Sequence, residues 1–178
     1  MTDTICTQGV AARAEYLRLD AIWRQRCAVL NRAGVQVRYQ RRRQRFFDLA
    51  GKLHKCLLVL LVASVFGRFY EALQPWLSCT IISLAVLDLG FDCNKRVHKL
   101  LAQKAAKLVA DIEQTPVDGL AYDKTAAWAA EYARMVVVSP PPLRTLSLLC
   151  EREQAISEGH PDHVALPSWW RRVVAHLF

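Results

Sequence analysis

Two apolar runs joined by a short polar segment constrain the fold of this chain more than any other feature. The first run, CLLVLLVASVFG, covers residues 56–67, and the second, WLSCTIISLAVL, covers residues 76–87. Between them lies a turn of about six residues and Pro75, which ends a helix because proline cannot donate to the helical ladder. Two runs of matched length with a short turn predict a helical hairpin. Either the core of a helical bundle buries this hairpin, or it crosses a lipid bilayer.

Helical periodicity and helix-breaking residues predict an all-α chain. The N-terminal segment repeats large apolar side chains at spacings of three and four, which is typical of an amphipathic helix, at Tyr16, Leu19, Trp23, Cys27 and Leu30. Gly34 is expected to break or bend this helix. The second apolar run continues without a breaker into a long helix that stops before Pro116.

Three further helices are predicted after Pro116. The segment YDKTAAWAAEYARMVVV is an Ala-rich helix with Asp123 as its expected cap. SPPP, residues 139–142, is an extended break, and the next helix, LRTLSLLCEREQAISEG, is expected to stop at Gly159. A short amphipathic helix, WWRRVVAHLF, is predicted to end the chain.

The lengths of the two runs bear on the choice between core and membrane. An uninterrupted run of 12 residues spans roughly 18 Å, which is less than the ~30 Å of hydrocarbon in a bilayer. Windows extended to about 53–73 and 75–93 reach the required length and keep their ionisable residues near the ends. These residues are Arg68 and Glu71 at the turn, and Lys55, Asp88 and Asp92 at the opposite end.

The positive charge is concentrated on one side of the hairpin. The chain has 24 Lys and Arg against 16 Asp and Glu, a net charge of +8. Residues 1–55 hold 12 of the basic residues and only four acids, so the entire surplus of eight precedes the first run. Basic residues flanking a span favour the cytoplasmic side. The sequence therefore predicts a two-span membrane hairpin with both termini cytoplasmic, and the buried hairpin of a soluble bundle is the alternative.

This interpretation divides the chain into three segments. Residues 1–52 form a basic, amphipathic cytoplasmic segment, residues 53–93 form the transmembrane hairpin, and residues 94–178 form a cytoplasmic helical segment with an amphipathic C-terminal helix. Trp76, Trp169 and Trp170 are expected to anchor at the membrane interface, where aromatic rings are enriched.

Polar residues within the hairpin are candidates for function. Acids inside a membrane commonly mark ion pathways, so a ring of Asp88 side chains in an oligomer is a candidate pore lining, with Arg68, Glu71 and Asp92 as further polar candidates. In an antiparallel pairing Lys55 is expected to reach Asp92, while Asp88 has no evident partner. The alternative is that Asp88 only marks the cytoplasmic interface.

A dense basic cluster precedes the first run. Anionic lipid head groups explain it more simply than nucleic acid, because it adjoins a predicted span and no nucleic-acid recognition fold is evident. Nucleic-acid binding stays the less favoured alternative. The cluster comprises Arg38, Arg41, Arg42, Arg43, Arg45, Lys52 and Lys55.

Catalytic patterns are not found in this sequence. It has no G-x-S-x-G, P-loop, Rossmann or H-E-x-x-H pattern, and its six cysteines are scattered without a C-x-x-C pair. We therefore expect no enzymatic activity, no cofactor and no metal.

The arrangement resembles the SLATT-type group of small bacterial proteins and small two-span proteins of prophages. The matching segments are YQRRRQRFFDLAGKLHKCLLVLLVASVFG, WLSCTIISLAVLDLG, NKRVHKLLAQKAAKLVADIEQ and the tail PPPLRTLSLLCEREQAISEG with LPSWWRRVVAHL. The resemblance implies a non-enzymatic membrane effector that forms homo-oligomers and perturbs the inner membrane in antiphage defence or phage conflict, when a signalling partner acts. A membrane-anchored scaffold, such as a phage exclusion factor that binds a host membrane protein, is the alternative. A soluble helical nucleic-acid binder is a third possibility.

Overall fold

The structure is a computed structural model that describes residues 2–66, 74–160, 164, 168–170 and 175. For residues 2–12, 64–66, 74, 75, 77 and 118 it describes the backbone alone. Four α-helices make up nearly all of the described chain: α1 (Thr2–Phe66), α2 (Gln74–Gln114), α3 (Tyr122–Val138) and α4 (Arg144–Ser157), with a short 3-10 turn at Val117–Gly119 between α2 and α3. The described residues contain no strand, so the prediction of an all-α chain is confirmed.

The two long helices pack against each other as an antiparallel hairpin. Three contacts set their register along almost the whole length of α2. The guanidinium of Arg26 donates to the carbonyl of Ile112 at 2.9 Å, His98 hydrogen-bonds Gln40, and the ring of His54 lies 2.6 Å from the carbonyl of Leu84. Since Arg26 already lies level with the end of α2, the preceding turns of α1 extend past it as an arm.

The main core lies where α3 packs against α1 and α2. Its buried members come from all three helices, and the largest fully buried side chains among them are Leu108 and Ile112 of α2. The cluster consists of Val29, Ala33, Ala105, Leu108, Ile112, Trp128 and Met135. A smaller cluster of Tyr39, Leu146 and Cys150 attaches α4 to α1.

The face that α1 buries is not the one its periodicity suggested. Ile22, Val29 and Ala33 are buried, whereas Tyr16 and Trp23 are exposed. Leu19 and Cys27 of the predicted stripe are also exposed, and Leu30 is only partly buried. Small residues of α2, such as Ala102 and Ala105, permit close approach of the helices, so the smaller side chains of α1 point inward.

Gly34 does not break α1, contrary to expectation. The helix is continuous through it, and a Cβ added there would lie 2.9 Å from the Oε1 atom of Gln154. The side-chain amide of Gln154 from α4 therefore lies against α1 at this glycine, and it would have to move to admit a larger residue. The Asp123 cap is also wrong: Ala121 occupies the N-cap of α3 without a side-chain cap, and Asp123 lies in the first turn.

The breaks predicted from proline and glycine agree better with the structure. α2 ends at Gln114, two residues before Pro116, and the extended SPPP segment separates α3 from α4. Gly159 follows α4 with φ of +83°, a left-handed conformation that glycine adopts without strain. Within the described residues, no helix combines enough length and apolar character to cross a membrane.

Candidate functional site

Large apolar side chains project from both helices at the turn end of the hairpin. Each of these residues is between 48% and 74% exposed to solvent, and most of them are aliphatic. α3 and α4 pack elsewhere, against the part of the hairpin that contains the two cores. We call this region the hairpin surface: Leu53, Leu57, Val59 and Leu60 of α1, and Trp76, Ile82, Val86, Leu87 and Leu89 of α2.

The spacing of these residues shows that the hairpin surface follows helical faces. Leu53, Leu57 and Leu60 stand four and three residues apart on α1, and Val86 and Leu89 continue the face of Ile82 on α2. Exposed apolar stripes such as these two mark sites of contact with protein or lipid. The sequence runs that predicted the hairpin therefore supply apolar residues that the described chain does not bury.

Ionic groups lie between the helices at the base of the hairpin surface. The Nζ atom of Lys55 is 3.5 Å from Oδ2 of Asp88 and 3.8 Å from Oδ2 of Asp92. The expected contact with Asp92 is therefore present, but the expectation that Asp88 has no partner is wrong. One helical turn separates the two acids, so a single lysine side chain reaches both. Oδ1 of Asp88 is buried without a hydrogen-bond partner among the described residues.

A second ionic group lies one to two turns further from the hairpin turn. Asp48 of α1 accepts from Lys95 of α2 and forms an ion pair of 2.9 Å with Lys52. Hydrogen bonds from Lys95 and then Lys52 lower the pKa of Asp48 to about 2, and the same contact raises the pKa of Lys95. The carboxylate therefore stays charged across the physiological range and joins the two helices.

A buried polar layer connects the hairpin to the segment between α3 and α4. Gln40 is fully buried; its Oε1 atom hydrogen-bonds Nδ1 of His98, and its Nε2 atom donates to Oγ of Ser139 at 2.9 Å. The ring of His98 stacks on Phe47 with centroids 5.4 Å apart. Burial lowers the pKa of His98 to about 4, with a further contribution from the positive charge of Arg43. The imidazole is therefore neutral at pH 7.

The basic cluster does not present a single surface. Arg38 donates to Gln154 at 2.9 Å and to Ser157 at 3.0 Å, and Arg42 forms an ion pair with Glu153. Both arginines thus attach α4 to α1. Arg43 lies over the ring of Phe47 at 4.7 Å.

The remaining members of the cluster are on the outside of the helix. Arg41 and Arg45 are exposed, as are Lys52 and Lys55 beyond their contacts with the acids. Lys52 and Lys55 lie closest to the hairpin surface.

The other predicted site residues lie apart from this group. Trp76 is exposed at the start of α2, and Trp169 and Trp170 are exposed with their rings stacked 3.8 Å apart. Arg68 and Glu71 lie outside the described residues, so their role as polar candidates at the turn stays a prediction.

Sequence reasoning missed a cleft of about 590 Å³ between α1, the end of α3, the SPPP segment and α4. Polar residues from α1 and α4 line it, including Arg32, Gln36 and Glu151, together with the rings of Tyr39 and Tyr132. Burial raises the pKa of Tyr132. No local sequence motif predicts the cleft, because it forms only when the SPPP segment directs α4 back along α1.

No group of three or more His, Cys, Asp and Glu in the described part of the chain is arranged to hold a metal ion. Comparison with known proteins found no matching family model, no matching curated protein and no matching solved structure.

Proposed function

We propose that this chain is a non-enzymatic effector of the bacterial inner membrane. Its α1–α2 hairpin enters the bilayer and self-associates, forming a pore or perturbing the membrane, with both termini cytoplasmic. The observation that supports this proposal is the hairpin surface, where both helices expose large aliphatic side chains that no described element of the fold covers. Burying such side chains in lipid gains about 25 cal/mol per Å² of apolar area.

The distribution of charge around the hairpin surface supports the same proposal. Lys52 and Lys55 lie at its base, where a cytoplasmic leaflet rich in anionic lipids attracts basic residues by about 1 kcal/mol each. Lys55 also compensates the charge of Asp88, which lowers the cost of placing that acid near hydrocarbon. The proposed spans are residues 53–73 and 75–93, and residues 67–73 lie outside the described part of the chain.

The resemblance to SLATT-type proteins belongs to this proposal. It adds the biological setting, antiphage defence or phage conflict, and a signalling or host membrane protein as partner. Asp88 is the residue proposed to line a pore in the oligomer, and opening such a pore would require its contact with Lys55 to be exchanged for water.

Membrane insertion is tested by fractionation of cells that express the full chain. We expect the wild type to stay in the membrane fraction after alkaline carbonate washing and to require detergent for extraction. Leu60→Lys should move a large part of the protein to the soluble or aggregated fraction, because a lysine at the centre of a span costs about 2.5–3.5 kcal/mol. Leu17→Lys is the matched control, since Leu17 is also exposed but lies on the arm of α1.

Recovery of the wild type as a monodisperse monomer in aqueous buffer would refute insertion. It would leave the soluble helical nucleic-acid binder as the alternative. Equal effects of Leu60→Lys and Leu17→Lys would show that the hairpin surface has no special role.

The pore is tested separately, by measuring membrane potential with a voltage-sensitive dye during expression. We expect the wild type to depolarise the membrane and Asp88→Asn to abolish this effect at equal membrane abundance. Asp123→Asn, an exposed acid of α3, is the control and should behave as the wild type does. An unchanged potential with the wild type eliminates the pore.

A membrane-anchored scaffold is the second candidate, and the cleft beside SPPP favours it. Its volume of about 590 Å³ falls in the range of ligand-binding clefts, and its walls combine apolar side chains with a few polar groups. If the protein is membrane-bound without any effect on potential, partner binding through this cleft becomes the leading function.

A further inference from the structure

A small groove between α1 and α2 brings cationic and amide side chains together from both helices. Arg41 and Gln44 line it from α1, and Lys99 and Gln103 line it from α2. The groove measures about 180 Å³, well above the roughly 10–15 Å³ of such space that a single bound water requires. Its lining includes no residue of α3 or α4, so it is a feature of the hairpin itself.

The two cations in this groove have no counter-ion within the described residues. Neither Arg41 nor Lys99 makes an ion pair or hydrogen bond within the described residues, whereas Arg38, Arg42 and Lys95 all do. The nearby sequence offers no acid to neutralise them, since residues 38–47 and 93–110 contain no Asp or Glu. Two uncompensated positive charges on facing helices repel each other and favour an anion between them.

The walls and floor of the groove suit an oxyanion. Gln44 and Gln103 can each donate from a side-chain amide, and the arginine can donate two parallel hydrogen bonds. Ala102 and Ala106 form the floor, and their short side chains leave the space between the cations open. Phosphate groups match this set of donors best, because three oxygens can accept from several directions at once.

We propose that this groove binds a phosphate-bearing anion through Arg41 and Lys99, with Gln44 and Gln103 as further donors. Such an anion could be a soluble phosphate compound or a lipid head group. The position of the groove favours the soluble compound. Gln44 precedes Leu53 by nine residues, or about 14 Å along the helix, whereas the head-group layer of one leaflet is only about 5–8 Å thick.

The anion site itself does not depend on the proposed membrane function, and only the choice between a soluble compound and a lipid head group rests on it. The groove lies outside the hairpin surface, and an anion can bind there whether or not residues 53–93 enter a bilayer. The experiment below therefore separates the two proposals, because its first measurement uses no membrane.

Isothermal titration calorimetry of the purified full chain with sodium pyrophosphate tests the site. We expect saturable binding of one pyrophosphate per chain in the wild type and at least about tenfold weaker binding in the double variant Arg41→Gln/Lys99→Gln. The control is Arg13→Gln/Arg18→Gln, which also removes two positive charges, but from the exposed arm of α1. Its affinity for pyrophosphate should stay within about twofold of that of the wild type. Circular dichroism checks that both variants keep the helical content of the wild type.

A third variant separates geometry from charge. Ala106→Leu leaves the charge unchanged but fills the floor of the groove, so it should also weaken binding by about tenfold or more. The same proteins are then floated with vesicles of phosphatidylglycerol or phosphatidylcholine. Binding to phosphatidylglycerol that Arg41→Gln/Lys99→Gln abolishes, in a wild type that binds no free pyrophosphate, would assign the anion to a lipid head group.

Two results would overturn the proposal. One is a wild type that binds neither pyrophosphate nor phosphatidylglycerol. The other is equal weakening by the two double variants, because this would show that net charge attracts the anion and that the groove contributes nothing. Either result leaves the hairpin surface and its fractionation test unaffected.

Discussion

Protonation of His98 is expected to destabilise the junction between the hairpin and the rest of the fold. The side chain is only 2% exposed, hydrogen-bonds Gln40 and stacks on Phe47. Burial lowers its pKa from 6.5 to about 4, and the charge of Arg43 adds to the effect. A proton on this imidazole would place a positive charge in a buried layer that already lies beside an arginine.

The size of the effect follows from the two pKa values. The unfolded chain binds a proton near pH 6.5, whereas the folded chain does so only near pH 4. Between these values the unfolded state holds more protons, so the free energy of unfolding decreases as the pH falls and levels off below pH 4. Each pH unit in this window contributes about 1.4 kcal/mol, which gives a loss of about 2 kcal/mol between pH 7 and pH 5. For a chain of this length, that lowers Tm by roughly 4–8 °C.

Thermal melts followed by circular dichroism measure this loss at pH 7, 6 and 5. Because acids also titrate in this range, the relevant quantity is the difference between the wild type and His98→Gln, which keeps an amide in place of the titrating ring. We expect the variant to lose about 2 kcal/mol less than the wild type between pH 7 and pH 5. His160→Gln is the control, because His160 is exposed beyond the end of α4.

Two outcomes would refute the reasoning. Parallel pH profiles of the wild type and His98→Gln would show that His98 is not held neutral in the folded protein. A pKa near 6.5, measured for this ring by NMR, would show the same directly.

Two further predictions concern the attachment of α4. Leu146→Ala should lower the free energy of unfolding by about 2–5 kcal/mol, because Leu146 is fully buried, whereas the exposed Leu148→Ala should cost less than about 1 kcal/mol; equal costs in chemical denaturation would contradict the described packing. Burial raises the pKa of the Cys150 thiol to about 11, so maleimide should label Cys150 at least about tenfold more slowly than the exposed Cys27 in the native protein, at rates that converge after unfolding. Comparable native rates would mean that α4 detaches readily from α1.

The ends of the helices could be predicted well from sequence. Pro116, the SPPP segment and Gly159 each act through local backbone geometry, since proline lacks a donor and glycine adopts a positive φ. These effects need no knowledge of distant residues. The boundaries near them therefore agree with the expectation.

The buried face of α1 could not be predicted in the same way. A helix with apolar residues on several sides offers more than one stripe, and the choice depends on what packs against it. Here the small residues of α2 favour Ala33 and Val29 over the larger Trp23 and Tyr16. The surroundings of Gly34 were also beyond prediction, because the side chain that contacts it, Gln154, belongs to a helix more than 100 residues away.

In the candidate site, too, some features could be predicted from the sequence and others could not. The apolar runs and the contact between Lys55 and Asp92 follow from the pattern and an antiparallel register. The additional contact of Lys55 with Asp88, the layer of Gln40 and His98, and the cleft beside SPPP depend on side-chain geometry across helices. The spacing of residues within a single segment does not predict these contacts.

The continuity of α1 has a mechanical consequence. Its 65 residues form one helix about 97 Å long that runs from the N-terminal arm to the hairpin turn without a joint. Phe66 lies about 48 Å from Gly34, where the side chain of Gln154 contacts the helix, so a tilt of roughly 5° at that point would displace the far end of α1 by about 4 Å. A small rotation of α1 at this point would therefore displace the far end of the helix by an amount that grows with the length of helix beyond it.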